Sequence, residues 1–179
     1  MIWLLVVAGV VFIPFGLVVL FGAPYLPAHK KAVNDALSLI KLSKQGRVLD
    51  LGCGDGKFLL AAAKKGYRCT GYEANPFIFL VAKLRLFKYK NAKVKLANFW
   101  RVSFPEDTEV VYVFLLDRYM VKLDKKMKEE AKRLGSFDSP PAGGSLRMTK
   151  SGLNLVSYVF KIPNKKPIKE VGGVRFYAY

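Results

Sequence analysis

The sequence has very few of the side chains that most metal sites and disulfide frameworks require. Its 179 residues include two cysteines, Cys53 and Cys69, and one histidine, His29. A tetrahedral zinc site takes about four nitrogen or sulfur ligands, so these three side chains exclude most metal sites. Two cysteines build no disulfide framework either, which favours a reducing compartment. We therefore expect neither a metal centre nor structural disulfides.

Acidic residues are also scarce. The chain has 13 Asp and Glu against 30 Lys and Arg, which gives a formal net charge of +17. A balance of this kind favours a polyanionic neighbour, which can be nucleic acid, an anionic membrane surface or an acidic protein. The alternative is a solvated basic surface without a dedicated partner. Composition alone leaves these possibilities open.

Charged residues are absent altogether from residues 2–23, the longest apolar stretch of the chain. A helix rises about 1.5 Å per residue and the hydrocarbon core of a bilayer is about 30 Å thick, so ~20 apolar residues span it. Pro14 should bend such a helix, which membrane helices tolerate. A secretory signal peptide would have basic residues before a shorter apolar stretch, and a buried core helix would need a larger domain around it. We predict that residues 1–23 form a transmembrane anchor.

Basic residues follow this apolar stretch directly, at His29, Lys30 and Lys31. Positively charged flanks mark the cytoplasmic side of membrane helices. The pattern therefore predicts a single-pass N-terminal anchor with the domain of residues 24–179 in the cytoplasm. The remaining positive charge could hold that domain against anionic lipid.

Helical and strand-like patterns alternate through residues 24–179, which predicts an α/β fold with a mostly parallel sheet between two layers of helices. The length allows one such domain. The pattern is interrupted at 136–150, a Pro- and Gly-rich segment that we expect to be a surface loop. Helices are expected at 28–44, 57–65, 76–89 and 118–134, strands at 47–51, 67–72, 92–96, 109–116 and 153–161, and a C-terminal hairpin at 168–170 and 174–179.

Three glycines on alternate positions, Gly52, Gly54 and Gly56, separate the first strand from the next helix. Glycines let a ligand approach the backbone, and the start of a helix directs amide groups towards it. The spacing Gly-x-Gly-x-Gly differs from the Gly-x-Gly-x-x-Gly of dinucleotide sites. Asp50 precedes the loop, and its carboxylate would attract the ammonium group of S-adenosylmethionine but repel a pyrophosphate. The loop, with Cys53 in it, therefore predicts an S-adenosylmethionine site.

Two further elements follow at the ends of the next two strands. Glu73 could accept hydrogen bonds from both ribose hydroxyls, as acidic residues do in dinucleotide folds; the alternative is a solvated glutamate at a strand end. In Asn98-Phe99-Trp100, the asparagine could bind the exocyclic amine of adenine and Phe99 could cover the ring. Alternatively, Phe99 and Trp100 are core or lid residues.

In this order, the three elements resemble the class I (seven-strand) S-adenosylmethionine-dependent methyltransferases over residues 47–179. A narrower set of motifs is similar to the small membrane-associated lysine methyltransferases that act on the ATP synthase c subunit and adenine nucleotide translocase. These motifs are the N-terminal apolar segment, Pro24-Tyr25-Leu26-Pro27, the glycine loop, Gly71-Tyr72-Glu73-Ala74-Asn75-Pro76, Asn98-Phe99-Trp100 and Tyr158-Val159-Phe160-Lys161-Ile162-Pro163.

The resemblance implies a Rossmann-like sheet with a C-terminal antiparallel hairpin, and S-adenosylmethionine as the cofactor. It also implies contacts to the cofactor from Ala74 and a lysine of a membrane protein as the substrate. The chain departs from the family in two places: the family often has Asp at the position of Asn98, and the segment 136–150 looks like an insertion.

Methyl transfer from a sulfonium group needs a positioned and neutral amine nucleophile. Open α/β sheets bind ligands at the carboxyl ends of their strands. Asp117 directly follows the predicted central strand and is therefore our candidate catalytic residue, although it could instead cap the following helix. Tyr25 is a second candidate, from the segment that enters the domain.

Other functions remain open at this stage. The basic surface would also suit an RNA methyltransferase, and a membrane anchor would suit a methyltransferase of lipids or small molecules. A scaffold protein that retains the fold without catalysis is a further alternative.

Overall fold

The computed structural model describes residues 2, 3, 9, 30–135 and 152–179. Most of the predicted anchor, Tyr25 and the predicted loop at 136–150 lie outside the described residues. None of the helices in the described ranges has the length and apolar character needed to cross a membrane. The elements are α1 (Lys30–Leu39), β1 (Arg47–Leu51), α2 (Lys57–Lys64), β2 (Arg68–Glu73), α3 (Pro76–Leu86), β3 (Ala92–Leu96), β4 (Thr108–Val113), a 3₁₀ helix (Asp117–Tyr119), α4 (Met120–Arg133), β5 (Asn154–Tyr158), β6 (Lys169–Val171) and β7 (Val174–Ala178).

The seven strands form one sheet in the order β3-β2-β1-β4-β5-β7-β6. From β3 to β5 all neighbours are parallel. Strand β7 runs antiparallel to β5 and forms a hairpin with β6. This architecture confirms the predicted mostly parallel, Rossmann-like sheet with its C-terminal antiparallel hairpin. The parallel arrangement brings the carboxyl ends of β1, β2, β3 and β4 to one edge.

Alternate residues of each strand enter two separate hydrophobic cores, as strand geometry requires. In β1, Val48 packs on one face with residues of α1, α2 and α3, while Leu49 and Leu51 pack on the other face with α4. Asp50 lies on the same face as Val48 because side chains alternate along a strand. The central strands are thus buried on both sides, as their nearly continuous apolar sequences indicate.

Several elements end earlier than the sequence patterns suggest. Helix α1 stops at Leu39 rather than near residue 44; beyond it, the backbone N–H of Ser43 donates to Glu109 Oε2 at 2.9 Å instead of continuing the helix. Strand β4 stops at Val113, whose partners are Leu51, the last residue of β1, and Ser157 of β5. Beyond this point β1 has no further residue with which β4 could pair.

Candidate active site

The glycine loop is fixed to the end of β2 by backbone hydrogen bonds. The N–H groups of Gly52 and Cys53 both donate to the carbonyl oxygen of Tyr72, each at 2.9 Å. The loop closes on itself where Gly56 N–H donates to Cys53 O at 3.0 Å, and α2 begins at the next residue. Gly56 has a φ of 79°, and a Cβ there would lie 3.3 Å from Cβ of Ala82 in α3. The loop therefore needs glycine at this position for both conformation and space.

Glu73 joins the loop to the end of β2. Its carboxylate accepts the N–H of Gly54 at 2.9 Å and the N–H of Asn75 at 2.8 Å. The side chain is 9% exposed. Each carboxylate oxygen has a second lone pair, so both can also accept a hydroxyl donor from a ligand. Glu73 is therefore no solvated strand-end residue, and its position suits a diol such as that of ribose.

Asp50 lies at the same edge and is 3% exposed. Burial, and secondly the negative charge of Glu73, raise the pKa of its carboxyl group well above the usual range. A cation at the loop would lower this pKa, because it favours the charged form. Two carboxylates around a glycine loop therefore fit the ammonium and ribose groups of S-adenosylmethionine, and this arrangement disfavours a pyrophosphate.

Two basic side chains near the loop, Arg85 and Lys57, pair with Asp55. Arg85 Nη1 lies 2.5 Å and Lys57 Nζ 3.2 Å from the Asp55 carboxylate, and Arg85 also donates to the backbone oxygen of Asp55 at 2.7 Å. Burial alone would raise the pKa of Asp55, but the hydrogen bonds from Arg85 and Lys57 outweigh it and hold the pKa below its ordinary value. Arg85 thus ties the loop to α3, a link that the sequence patterns did not indicate.

The segment Asn98-Phe99-Trp100 lies beside the glycine loop. A Cβ at Gly52 would be 3.9 Å from Cε1 of Phe99, so Phe99 faces the glycine loop. Phe99 and Trp100 are also partly buried against the core on the α4 face, which combines the two interpretations of these aromatics. Asn98 is exposed, and its Oδ1 accepts the N–H of Trp100 at 3.0 Å. The amide oxygen keeps one lone pair for an adenine amine.

Cys53 and Ala74 have different surroundings. The thiol of Cys53 points away from the loop into the core on the α2 face, where burial raises its pKa above the ordinary range, so Cys53 contributes only its backbone to the loop surface. Ala74 is exposed between Glu73 and Asn75.

Asn75 caps α3, because its Oδ1 accepts the N–H groups of Phe77 at 2.9 Å and Ile78 at 3.2 Å. The Asn-Pro pair that begins α3 is a known helix-start signal, so the sequence could have indicated this cap.

Asp117 is exposed at the same edge, beyond the end of β4. It is the first residue of a 3₁₀ helix, and α4 starts only at Met120, with Tyr119 in the capping position and no side-chain cap. The arrangement does not support the interpretation of Asp117 as the cap of this helix.

Aromatic rings flank Asp117 along the chain on both sides. Phe114 and Tyr158 pack with ring centroids 4.8 Å apart, and Trp100 and Tyr119 with centroids 6.1 Å apart. Cations of the chain itself lie over two of these rings, Arg118 at 4.9 Å from the Tyr119 centroid and Lys122 at 4.5 Å from that of Trp100. Asp117 is thus an exposed carboxylate at the carboxyl edge, next to aromatic residues along the chain.

Comparisons with known proteins identify relatives of this chain and of its fold. The sequence model of the ANTKMT methyltransferase domain matches residues 50–136. The chain is 34% identical over 114 residues to the protein-lysine N-methyltransferase of Saccharolobus islandicus, covering 61% of this chain and 70% of that protein. It is 32% identical over 110 residues to the human lysine N-methyltransferase named for the ATP synthase c subunit, covering 60% of this chain and 46% of the human protein.

Another similar protein is the mouse adenine nucleotide translocase lysine N-methyltransferase, 32% identical over 153 residues, which are 83% of this chain and 58% of the mouse protein. The chain spans about half the length of the ATP synthase methyltransferases that it matches. Among solved structures, an RNA methyltransferase from Salinibacter ruber in complex with S-adenosyl-L-homocysteine has a TM-score of 0.67 at 22% identity, covering 86% of this chain and 92% of that one. This likeness concerns the fold.

Proposed function

We propose, on the premise that this chain belongs to the protein-lysine N-methyltransferase family of its Saccharolobus islandicus relative, that it transfers a methyl group from S-adenosylmethionine to a lysine side chain of a protein. The observation that carries the proposal is the convergence of four elements at one edge of the sheet. The glycine loop, Glu73, Phe99 and Asp117 come from the ends of four strands that are neighbours in the order β3-β2-β1-β4.

The cofactor would be held by the loop and the two strand ends beside it. We assign the ribose hydroxyls to Glu73 and the ammonium group to the vicinity of Asp50, with the loop backbone against the ligand. The adenine would lie near Ala74 and Phe99, where Asn98 can accept its amine. The residues assigned to the cofactor are Asp50, Gly52, Cys53, Gly54, Gly56, Glu73, Ala74, Asn98 and Phe99, with Cys53 acting through its backbone.

When bound, S-adenosylmethionine supplies an activated methyl group, so the protein has to orient the amine and remove its proton. We assign this task to Asp117, whose exposed carboxylate can accept a hydrogen bond from the substrate ammonium group and orient it. Contact with the protein would remove water from the amine and favour its neutral form. Tyr25 is a second proposed catalytic residue, on the basis of the family motif that contains it.

A membrane protein is the proposed substrate, because the similar animal enzymes are named for the ATP synthase c subunit and adenine nucleotide translocase. We further propose that residues 1–23 anchor the chain in a membrane as a transmembrane helix and that the domain of residues 24–179 faces the cytoplasm. The length and apolar character of residues 2–23, followed by basic residues, support this arrangement.

The test is to incubate the full chain with radiolabelled S-adenosylmethionine and a membrane fraction, and then to treat the product with protease or ribonuclease. We expect label that protease removes and ribonuclease leaves, and methyllysine after acid hydrolysis. Label lost to ribonuclease would contradict the proposal in favour of an RNA methyltransferase, and label extracted into organic solvent would contradict it in favour of a lipid substrate.

A further inference from the structure

Helix α3 exposes an unusually apolar face. Five large hydrophobic side chains are exposed by nearly half or more: Phe77 (45%), Leu80 (53%), Val81 (48%), Leu84 (71%) and Phe87 (74%). Their positions follow the spacing i, i+3, i+4, i+7 and i+10, so they lie along one side of the helix. A continuous exposed apolar stripe of this kind marks an interaction surface more often than isolated exposed residues do.

The packing of α3 in the domain does not require these side chains. The residues of α3 that are buried are Ala82 and Leu86, and they lie against Gly56 at the start of α2. The helix also packs along β3 and against β2, on the side away from the exposed residues. The apolar residues on the exposed side are therefore additional to what the fold needs.

Positive charge surrounds the stripe. The sequence from 76 to 96 contains no acidic residue. Arg85 pairs with Asp55, but the Nζ of Lys83 lies 5.8 Å from the ring centroid of Phe79, and the Nζ of Lys88 lies 5.4 Å from that of Phe87. Lysines that extend beside apolar rings in this way can keep their ammonium groups at a polar boundary while the rings enter an apolar phase. The exposed basic residues between positions 76 and 96 are Lys83, Lys88, Lys90, Lys93 and Lys95.

The outer face of α4 shows how an ordinary solvated helix of this protein differs. Its charges have both signs and pair along the helix, with Lys128 Nζ 2.6 Å from the Asp124 carboxylate and Lys125 Nζ 4.0 Å from that of Glu129. It has one strongly exposed apolar residue, Val121 (67%). The apolar and purely basic character of α3 is therefore a local property and not a consequence of the overall charge.

We propose that the exposed face of α3 docks on an anionic lipid surface, with the apolar stripe in the interfacial region and the lysines at the headgroups. An interfacial helix has this combination of an apolar face and basic flanks. Charge decides between the possible occupants. A second copy would bring like charges together, and the apolar residues 2–23 contain no acidic group to match the lysines.

The orientation has a consequence for the active site. Helix α3 begins next to Glu73, because Asn75 both caps the helix and donates its N–H to the Glu73 carboxylate. A domain lying on α3 therefore has the edge that contains the cofactor site close to the lipid surface. A lysine of a membrane protein near the headgroups could then reach the site. The docking itself goes beyond the proposed methyl transfer and can be measured without any turnover.

The test uses two labelled variants of the full chain that are matched in exposure, Leu84→Cys on α3 and Val121→Cys on α4. Cys53 and Cys69 are both buried, so a polar thiol reagent carrying an environment-sensitive fluorophore will label the introduced cysteine. Each variant is mixed with vesicles that contain a nitroxide-labelled quenching lipid, with or without phosphatidylserine. The comparison within one chain remains valid even if residues 2–23 enter the bilayer.

We expect strong quenching at position 84 in phosphatidylserine vesicles and little at position 121. The Lys88→Gln/Lys90→Gln variant should reduce quenching at 84 about threefold or more, because each lysine near an anionic surface strengthens binding roughly fivefold. The matched pair Lys125→Gln/Lys132→Gln on α4 should have no such effect.

Three results would overturn the proposal. The first is equal quenching at the two positions, which would show that α3 lies no nearer to the lipid than α4 does. The second is equal quenching at 84 in neutral vesicles, which would remove the requirement for anionic lipid. The third is protection of position 84 from aqueous iodide before vesicles are added, which would assign the stripe to another part of this chain or to a second copy.

Discussion

Glu73 Oε2 accepts the backbone N–H of Gly54 at 2.9 Å, so the acidic end of β2 holds the glycine loop directly. Its other oxygen accepts Asn75 N–H at 2.8 Å, which fixes the start of α3 as well. One buried carboxylate therefore sets the positions of two segments that border the proposed cofactor site. A residue expected only to bind ribose also has a structural role.

Replacing this carboxylate should reduce both stability and cofactor binding. Glu73→Ala leaves two buried N–H donors without acceptors, which should lower the free energy of unfolding by about 1–3 kcal/mol. The affinity for S-adenosylmethionine should fall at least about tenfold, since a lost hydrogen bond to a charged group costs roughly 1.5–3 kcal/mol. Denaturant unfolding and calorimetric titration measure the two effects. Glu106→Ala, at an exposed position, is the control; wild-type affinity in Glu73→Ala would refute the ribose assignment.

Asp50 should make the unliganded protein less stable as the pH rises. Its folded pKa is raised, by burial first and then by Glu73, so the folded state retains a proton that the unfolded state loses. Stability is therefore greatest below the ordinary carboxyl pKa of about 4 and decreases as the pH rises towards the folded pKa. Asp50→Asn removes this dependence because the amide does not ionise.

The measurement compares the urea unfolding of wild type and Asp50→Asn from acid to mildly alkaline pH. The difference should favour the variant increasingly as the pH rises, and at pH 8 the variant should melt a few degrees higher, as a gain of about 1 kcal/mol does in a chain of this size. The same variant should bind S-adenosylmethionine more weakly. A stability difference that does not change with pH would contradict the raised pKa.

The sequence was informative where local chemistry determines the structure. The alternation of elements, the hairpin across Gly172 and Gly173, and strand β3 at Ala92–Leu96 were all predicted correctly. The Gly-x-Gly-x-Gly loop and Glu73 were placed at one edge because parallel strands bring their carboxyl ends together. These features depend on residue type and spacing within a few positions.

Features that depend on distant partners could not be predicted. Strand β4 was expected to continue to residue 116, but it ends at Val113 with its neighbours β1 and β5. Arg85 reaches Asp55 from 30 residues away, through the orientation of α3 on the sheet. Both depend on tertiary packing that no local pattern encodes. The helix expected from residue 118 also differs: a 3₁₀ helix at Asp117–Tyr119 comes first, and α4 begins at Met120.

Arg85 should stabilise the glycine loop mainly at neutral pH. Arg85→Ala removes an ion pair with a largely buried carboxylate and should lower the free energy of unfolding by about 1 kcal/mol. The pKa of Asp55 is depressed, so the contribution is present above the ordinary carboxyl pKa and is lost as the pH falls through the folded pKa. The free energies of urea unfolding of the two proteins should therefore converge as the pH falls below the folded pKa of Asp55. Lys125→Ala, which breaks an exposed pair, serves as the comparison and should change little.

Gly71 should tolerate alanine far less well than Gly66. A Cβ at Gly71 would lie 2.7 Å from Cβ of Cys53 and would overlap Leu59, both in the buried core. Overpacking of this kind costs about 3 kcal/mol and should also displace the loop that contains Cys53, so cofactor affinity should fall. A Cβ at Gly66 would have no neighbouring atom within 4 Å. Only the positive φ of 83° disfavours alanine there, which should lower the free energy of unfolding by about 1 kcal/mol. Equal cofactor affinities in the two variants would contradict the proposed coupling.

Replacing Asp117 should impair catalysis and leave cofactor binding unchanged. Its carboxylate is exposed, and neither the 3₁₀ helix nor α4 has a side-chain cap, so its removal should leave the melting temperature within a few degrees of wild type. Asp117→Ala should lower kcat by about 100-fold or more, the usual contribution of a general base, while the affinity for S-adenosylmethionine stays unchanged. Asp117→Asn should retain folding and lose activity to a similar extent, because the amide cannot take up a proton.

Glu129→Ala on the exposed face of α4 is the matched control. If Asp117→Ala turns over lysine substrate at the wild-type rate with unchanged KM, the proton acceptor must be sought elsewhere, with Tyr25 the next residue to replace.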